Sequence, residues 1–337
     1  MKILRSRLLS ALLVLLGASF ITFTLARVIP SDPALAYIGP KATAADAEKL
    51  RITLGLDQPI PIQYFKYLGQ TLHGNWGYSL STKQSVLKEI GDRLPTTLEL
   101  IFFAIGFAII FGVTLGVVAA KYKGRFQDSI IRVISIAGVS IPAFWLGLLL
   151  QLLFAGRLGW FPATGQFDID IKYEHPIHKV TGFPIFDSVI TGNFAATFNG
   201  LHHIVLPALT LSAYSFGLLS RMARANMLEV LSQDYIKVAK AYGLSERIIF
   251  FKLALRNALP PIVTVTGLSV AYLITGTFFV EQVYNWPGIG SFAVNSLLSI
   301  DYPAIMGITL LAALVYLVIN FLVDLIQAKI DPRVGMR

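Results

Sequence analysis

Cysteine is absent from the 337 residues. That excludes disulfides, zinc ribbons, iron–sulfur clusters and thiol nucleophiles, and says nothing about redox compartment. Charge is scarce too: Asp, Glu, Lys and Arg make up 14%, against about 25% in an average soluble domain. No Gly-x-x-x-x-Gly-Lys-Ser/Thr occurs, and no lysine directly follows a glycine. The chain therefore cannot cradle ATP phosphates in the P-loop way. Low-complexity tracts and internal repeats are missing as well. The missing inverted repeat counts against a secondary transporter, many of which are built from one. The chain is instead rich in apolar residues, at 55%, with a mean hydropathy of +0.67, which is hard to reconcile with a water-soluble surface. A net charge of +9 would raise nucleic acid as a partner of a soluble protein. Here it reads as basic loops facing anionic headgroups, and no nucleic acid is expected.

A membrane span needs about 20 apolar residues, at ~1.5 Å per residue across a ~30 Å core. Six uncharged windows meet that length: Leu8 to Ala26, Leu100 to Ala120, Val133 to Gly156, Leu201 to Ser220, Asn257 to Val280 and Tyr302 to Val323. The expected fold class is an all-α integral membrane protein with about six transmembrane helices. The expected spans are 8–29, 97–120, 130–156, 201–220, 257–280 and 302–324. The first window follows a basic head, as a signal peptide would, but its apolar run is longer than the usual core and no clear cleavage site follows. Lys and Arg cluster in residues 1–7, after the second span (Lys121, Lys123, Arg125), in 221–256 and in the tail 325–337, while Glu281 to Asp301 carries none. By the positive-inside rule both termini are expected in the cytoplasm, with 30–96 and 157–200 outside. The first outer loop opens on Pro and Gly punctuation. It is amphipathic and helical in pattern around Ala42 to Leu54 and again around Ile62 to Leu72.

Residues 221–256 are too long for a turn and too polar to insert. Asp234-Tyr-Ile-Lys-Val-Ala-Lys-Ala-Tyr-Gly243 reads as a short helix, with an acid at its positive end and Lys240 near its negative one. Gly243 is placed to end it in the left-handed conformation, and Ser245 to cap the helix that follows. Ala239 and Gly243, four apart, give one face of small residues that another surface could approach closely. An amphipathic helix lying on the membrane surface fits the same pattern.

The stretch Asp234, Ala239, Gly243 and Leu259-Pro260 resembles the coupling loop of binding-protein-dependent ABC importer permeases, with Asp in place of Glu at its start. The form resembles that of the dipeptide/oligopeptide branch. Other matches follow in chain order: Pro30-Ser-Asp-Pro33, Gly55-Leu-Asp-Gln-Pro59, Gly74-Asn-Trp-Gly77, Arg93-Leu-Pro-Thr-Thr-Leu98, Ser140-Ile-Pro-Ala-Phe-Trp145, Leu158-Gly-Trp-Phe-Pro-Ala-Thr-Gly165, Leu206-Pro-Ala208, Trp286-Pro-Gly-Ile-Gly290 and Asp331-Pro-Arg333. The departures are Ser31 for Gly and Asn75 for Asp. The resemblance covers nearly the whole chain and points to the first permease of a heterodimeric pair, with a type I ABC importer permease fold and a cytoplasmic coupling helix over 234–243.

That resemblance implies the ATPase-coupling residues Asp234, Tyr235, Ala239, Ala241, Gly243, Leu244 and Ser245. It implies as partners a second homologous permease, two ATP-binding cassette subunits and a substrate-binding protein, with the lipid bilayer around them. ATP and magnesium would be used by those subunits and no cofactor would be bound here. It also implies a prokaryotic cell membrane and a cargo of peptides or, in the same family, oligosaccharides. An ion-gradient-driven secondary transporter is the alternative, but no window carries a mid-membrane carboxylate. A membrane hydrolase would need a nucleophile or acid pair at depth, and none is visible.

Polar residues inside spans are costly in lipid and tend to face a cavity or another helix. Ser135, Ser140 and Gln151 in the third span, and Thr266, Ser269, Tyr272 and Thr275 in the fifth, are candidates for the solute path, with helix–helix hydrogen bonding as the equal alternative. Asn320 and Asp324 mark the inner end of the sixth. Pro142 and Pro207 are read as kinking or starting helices. No metal site is expected: Pro176 breaks the helix that His175 and His178 would need. His202 and His203 are read as polar anchors, and Trp76, Trp160 and Trp286 as an aromatic belt rather than sugar-stacking platforms.

Overall fold

The computed structural model describes residues 2–28, 43, 45, 48, 52 and 57–330. Pro30 to Pro33, most of the Ala42 to Leu54 segment and Asp331 to Arg333 lie outside the described residues, as does the side chain of Asp324. Among the described residues the secondary structure is helical, with one isolated bridge between Tyr78 and Ser85. The helices are α1 (Lys2–Val28), α2 (Ile60–Leu72), α3 (Val86–Phe107), α4 (Thr114–Lys121), α5 (Phe126–Ser140), α6 (Ala143–Leu150), α7 (Ile169–Glu174), α8 (Pro184–Ile190), α9 (Phe194–Leu231), α10 (Asp234–Ala241), α11 (Leu255–Val283), α12 (Ile289–Leu298) and α13 (Tyr302–Ile330). π-helical turns over Ala108–Val113, Gln151–Arg157 and Ile248–Ala254 join α3 to α4, extend α6 and lead into α11. Such turns are rare and recur at functional sites.

The six apolar windows fall on helices, the third of them interrupted at Ile141 and Pro142. By length and composition, four stretches can each cross a membrane: Val86–Lys121, Phe194–Leu231, Ile248–Val270 and Tyr302–Leu322. A bent pair, α5 with α6 and its π turn, makes a fifth. The third window, expected as a span over 130–156, is bent at Pro142, one of the two prolines read as kinking or starting a helix. Its two halves meet at 114°, because Pro142 lacks an N–H and pushes Ile141 out of the helical region, to φ −80 and ψ 127. Pro142 thus starts α6, whereas Pro207 lies inside the continuous α9.

The chain divides into two compact units, Met1–Leu94 with Phe292–Leu317, and Pro95–Ser291 with Val318–Arg337. In the first, Asp301 opens α13 by accepting from Ala304 N–H, and its other oxygen accepts from the Ser79 and Ser81 hydroxyls and Ser81 N–H. That carboxylate is fully buried and its bonds fix the turn before α3.

In the second unit the 38-residue α9 is central, with α4, α5, α6, α8 and α11 packed on it. Two-thirds of its best apolar window is buried by the chain itself, against a ninth for α13. Packing without a hydrophobic drive needs close backbones and small residues. Gly112 and Gly116 supply them against Phe216 and Ser220, and Gly138 and Gly217 do so between α5 and α9, where a Cβ on Gly217 would strike the Ser135 carbonyl. The core around Leu100, Ala104, Ile204, Leu211, Leu273 and Trp286 fills the remainder.

Candidate functional site

The segment between the two longest helices of the second unit turns at Ser232 and Gln233 into α10. Asp234 stands in its first turn, exposed and paired with Lys237 Nζ at 2.8 Å. A pair this open contributes little beyond favouring the helix. The helix ends as its sequence implies. Gly243 takes φ +74, its N–H reaches the Lys240 carbonyl at 2.9 Å and the Leu244 N–H reaches the Ala239 carbonyl at 3.2 Å. These two bonds make a Schellman motif, which only a residue at ease with positive φ closes without strain. Ser245 follows, exposed, with its carbonyl accepting from Ile249 N–H at 3.1 Å where the next helical run begins.

One face of α10 is buried. Ile236 and Ala239 pack on Ile249, flanked by Leu231 at the end of α9 and Leu253. The Tyr235 hydroxyl accepts from Asn257 Nδ2 of α11 at 3.0 Å. Ala239 therefore does not share an open face with Gly243, as its spacing predicts. It is 8% exposed and seats the helix on its own chain, because the turn carrying Ile236 and Ala239 is the apolar side of an otherwise polar helix. The outward face is Tyr235, Val238, Ala241, Tyr242 and Leu244, with Tyr242 84% exposed. Gly243 has open space around it. Beside α10 lies a cleft of about 570 Å³, into which Lys121, Lys240 and Arg247 bring positive charge against the single carboxylate of Glu246.

The candidate path residues separate into two groups. Ser135 is buried; its hydroxyl bonds the Ile131 carbonyl and lies 2.9 Å from the Ser220 hydroxyl, joining α5 to α9. Gln151 Nε2 donates to the Ala163 and Val283 carbonyls at 2.7 and 3.0 Å. Ser269 is buried and bonds the Val265 carbonyl. Ser135 and Gln151 thus hold helices and loops together, as the hydrogen-bonding alternative has it, whereas the Ser269 bond stays within its own helix. Thr266, half-buried, turns its hydroxyl back to the Ile262 carbonyl. Ser140, Tyr272 and Thr275 are exposed. Tyr272 stacks on Tyr214 with ring centroids 4.0 Å apart, and its stripe on α11 continues through Leu268, Thr275 and Phe279.

Trp286 is a second correction. It is fully buried and its indole N–H reaches the Thr96 carbonyl at 3.3 Å, so it belongs to the core and to no belt. The motif around it serves Glu281, a buried carboxylate that accepts from Thr97 Oγ1 at 2.7 Å and Ser291 N–H at 3.0 Å. Gly288 lies where any Cβ would strike that carboxylate, and Gly290 lies on the backbone of Phe278. His203 is the anchor that its position implies: it is buried, with Nδ1 3.0 Å from the Gly165 carbonyl and Nε2 3.2 Å from Asp168. His202 Nε2 lies 2.6 Å from the Trp160 carbonyl.

The sequence reading missed a set of buried carboxylates. Glu99 accepts from Ile185 and Phe186 N–H. Asp128 takes a two-pronged bond from Arg224 at 2.7 and 2.9 Å and a third from Gly124 N–H. Asp187 accepts from Val180, Thr181 and Gly182 N–H. Glu99 borders an apolar window and Asp128 and Asp187 lie between windows, so a search for charge inside windows passes over all three. Their partners are backbone amides and distant side chains, which no spacing rule reveals.

An all-α chain whose long apolar helices, the central α9 apart, stay largely uncovered by its own residues, with a short exposed helix tied to two of them, is a multi-pass membrane protein of the transporter-subunit kind. Residues 112–336 match the model of the binding-protein-dependent transport system inner membrane component, and residues 1–101 match that of the N-terminal region of such components. The chain belongs to that family and is a permease subunit of an ABC importer. Among its relatives, it is 41% identical to the "Probable D,D-dipeptide transport system permease protein DdpB" of Escherichia coli (strain K12), over 99% of this chain and 97% of that one. It is 38% identical to the dipeptide transport system permease protein DppB of Alkalihalophilus pseudofirmus, and 36% to the oligopeptide transport system permease protein AppB of Bacillus subtilis, each over 97% of both chains. Its backbone matches a chain of the MetNI methionine ABC transporter in its inward-facing conformations, with a TM-score of 0.51 and 18% identity, over 70% of this chain and 93% of that one. The fold is thus that of the type I importer permeases.

Proposed function

We propose that this chain is the first permease of a heterodimeric pair that admits di- and oligopeptides, and that α10 is the helix through which the ATPase subunits drive it. The peptide cargo is supported by the names of the relatives that match almost end to end. The coupling role rests on one observation: α10 is fixed at both ends and open between them. Ile236 and Ala239 join it to Ile249 and to the end of α9, and the Tyr235 bond to Asn257 joins it to α11. A partner that grips Val238 and Tyr242 therefore displaces α9 and α11 together, as a lever rather than as a free loop. ATP binding and hydrolysis occur in the partner subunits, whose closure moves the lever between two arrangements of the helices. The second permease completes the passage, a binding protein delivers the peptide on the far side, and both termini lie with α10 in the cytoplasm.

The test is Tyr242→Ala in the assembled importer. Truncating a tyrosine at the centre of an interface costs about 2 kcal/mol, or roughly thirtyfold in affinity. Membrane insertion should be normal, while co-purification of the ATPase subunits and peptide uptake fall together. Wild-type levels of both in Tyr242→Ala and in Val238→Ala would withdraw the coupling role from α10.

A further inference from the structure

The geometry points to α2 as a helix sunk in the bilayer, with its outer face held by lipid acyl chains rather than by water or by another protein. The inference rests on reading α1 as a span. Arg7 and Arg27 border its apolar run and stand about one hydrocarbon core apart, ~30 Å at ~1.5 Å per residue. The Tyr64 hydroxyl of α2 meets Ser19 Oγ at 2.8 Å and the Leu16 carbonyl at 3.2 Å. Those residues precede Arg27 by 8 and 11 positions, which places them roughly 12 and 16 Å below it along the helix axis. A tyrosine side chain cannot bridge that depth from the headgroup plane, so the helix axis itself is submerged at Tyr64.

Ring contacts carry the packing along both helices. Phe20 meets Tyr64 edge-on at 5.3 Å, and Phe23 lies 5.4 Å from Tyr64 and 5.5 Å from Tyr67. The one polar group of Tyr64 that hydrocarbon would penalise is bonded to α1, as burial in lipid requires.

The other face of α2 fits the same place. Ile62, Phe65, Gly69 and Leu72 fall on one stripe at helical spacing. Phe65 is 71% exposed and Leu72 85% exposed, and no buried residue lies anywhere on the helix. Lys66 beside the stripe is exposed and can run its methylene stem through lipid while its ammonium reaches the headgroups. The stripe continues the uncovered apolar surface of α1, where Leu12, Leu13, Phe20 and Ile21 are likewise exposed. A face that prolongs a span's lipid-facing surface at the span's own depth has lipid as its neighbour. In water the same face would be an unprotected apolar patch. α2 thereby acts as a membrane-embedded anchor that fixes the start of the loop preceding α3 against α1.

The absence of native cysteine makes the test direct. The full importer is reconstituted in bilayers with one nitroxide at a time, on Phe65→Cys, Leu72→Cys, Phe20→Cys or Lys83→Cys. Collision of each label with oxygen, which concentrates in lipid, is compared with collision with a water-soluble nickel chelate. The expected result is an oxygen-to-nickel ratio at Phe65 and Leu72 several-fold above that at Lys83 and close to that at Phe20. A ratio at Phe65 equal to that at Lys83 would place the face in water and overturn the inference. Weak collision with both reagents would also overturn it, giving the face to a protein partner. If Phe20 itself reads as aqueous, α1 is no span, and the inference falls for that separate reason.

Discussion

At the scale of single residues, Ala239 and Gly243 look interchangeable in the sequence, two small residues four apart, and the fold gives them opposite duties. Ala239 faces Ile236 and Ile249, so leucine there overpacks the seat of α10, at a typical cost of ~1–3 kcal/mol. Gly243 has room for a side chain but holds φ +74, so alanine there costs about 1 kcal/mol through conformation alone. Ala239→Leu is expected to loosen α10, raising hydrogen exchange at the Leu244 amide that bonds the Ala239 carbonyl. Gly243→Ala is expected to leave that protection within a few-fold of the wild type. Equal exchange in the two variants would mean that Ala239 does not seat the helix. Of the two roles only the glycine's was legible in the sequence, because a left-handed helix end has a residue preference and a packing neighbour beyond the helix, such as Ile249, has none.

Among the elements, the loop before α8 shows how a buried acid organises a segment that has no regular structure. Asp187 gathers the amides of Val180, Thr181 and Gly182 and the Thr181 hydroxyl. Burial alone would raise its pKa, but the bonds from Thr181, Gly182 and Val180 outweigh it and hold the carboxyl below the ordinary range. Because the folded value is depressed, the stabilisation is complete above the unfolded value of about 3.9 and is lost as pH falls through the folded one. Protection of these amides, corrected for intrinsic exchange, should therefore hold from neutral pH down to about 4 and decline below it. In Asp187→Ala it should be low throughout. A decline that begins near neutral pH would assign the latch to another group. The break between α5 and α6 is a different case. Pro142 announced a kink or a start, and the residue before it completed the break by leaving the helical region, so the cause was local and readable while the 114° angle was not.

For the molecule as a whole, the proposed orientation makes a prediction that the missing cysteines make clean. Lys237 is exposed on α10. In intact cells a Lys237→Cys variant should resist an impermeant maleimide, and in inside-out vesicles it should label fully. Trp160→Cys, also exposed, should behave the opposite way. Labelling of Lys237→Cys in intact cells would invert the topology and separate α10 from any cytoplasmic ATPase.

The apolar windows, the two prolines and the glycine at the end of α10 determined, without any structure, that this chain is a helical membrane protein and where a short polar helix interrupts it. These features act over one helical turn or one bilayer thickness, and both distances can be measured along a sequence. The tertiary structure alone decided that Trp286 is core, that Ser135 and Gln151 bond to other helices and loops, and that α2 lies against the middle of α1. It also decided which acids are buried: Glu99, Asp128, Glu281 and Asp301 each find donors across the fold. The physical reason is the same in every case. A polar or aromatic group in lipid-bounded protein must meet a partner, and which partner it meets depends on contacts between helices that are distant in the chain.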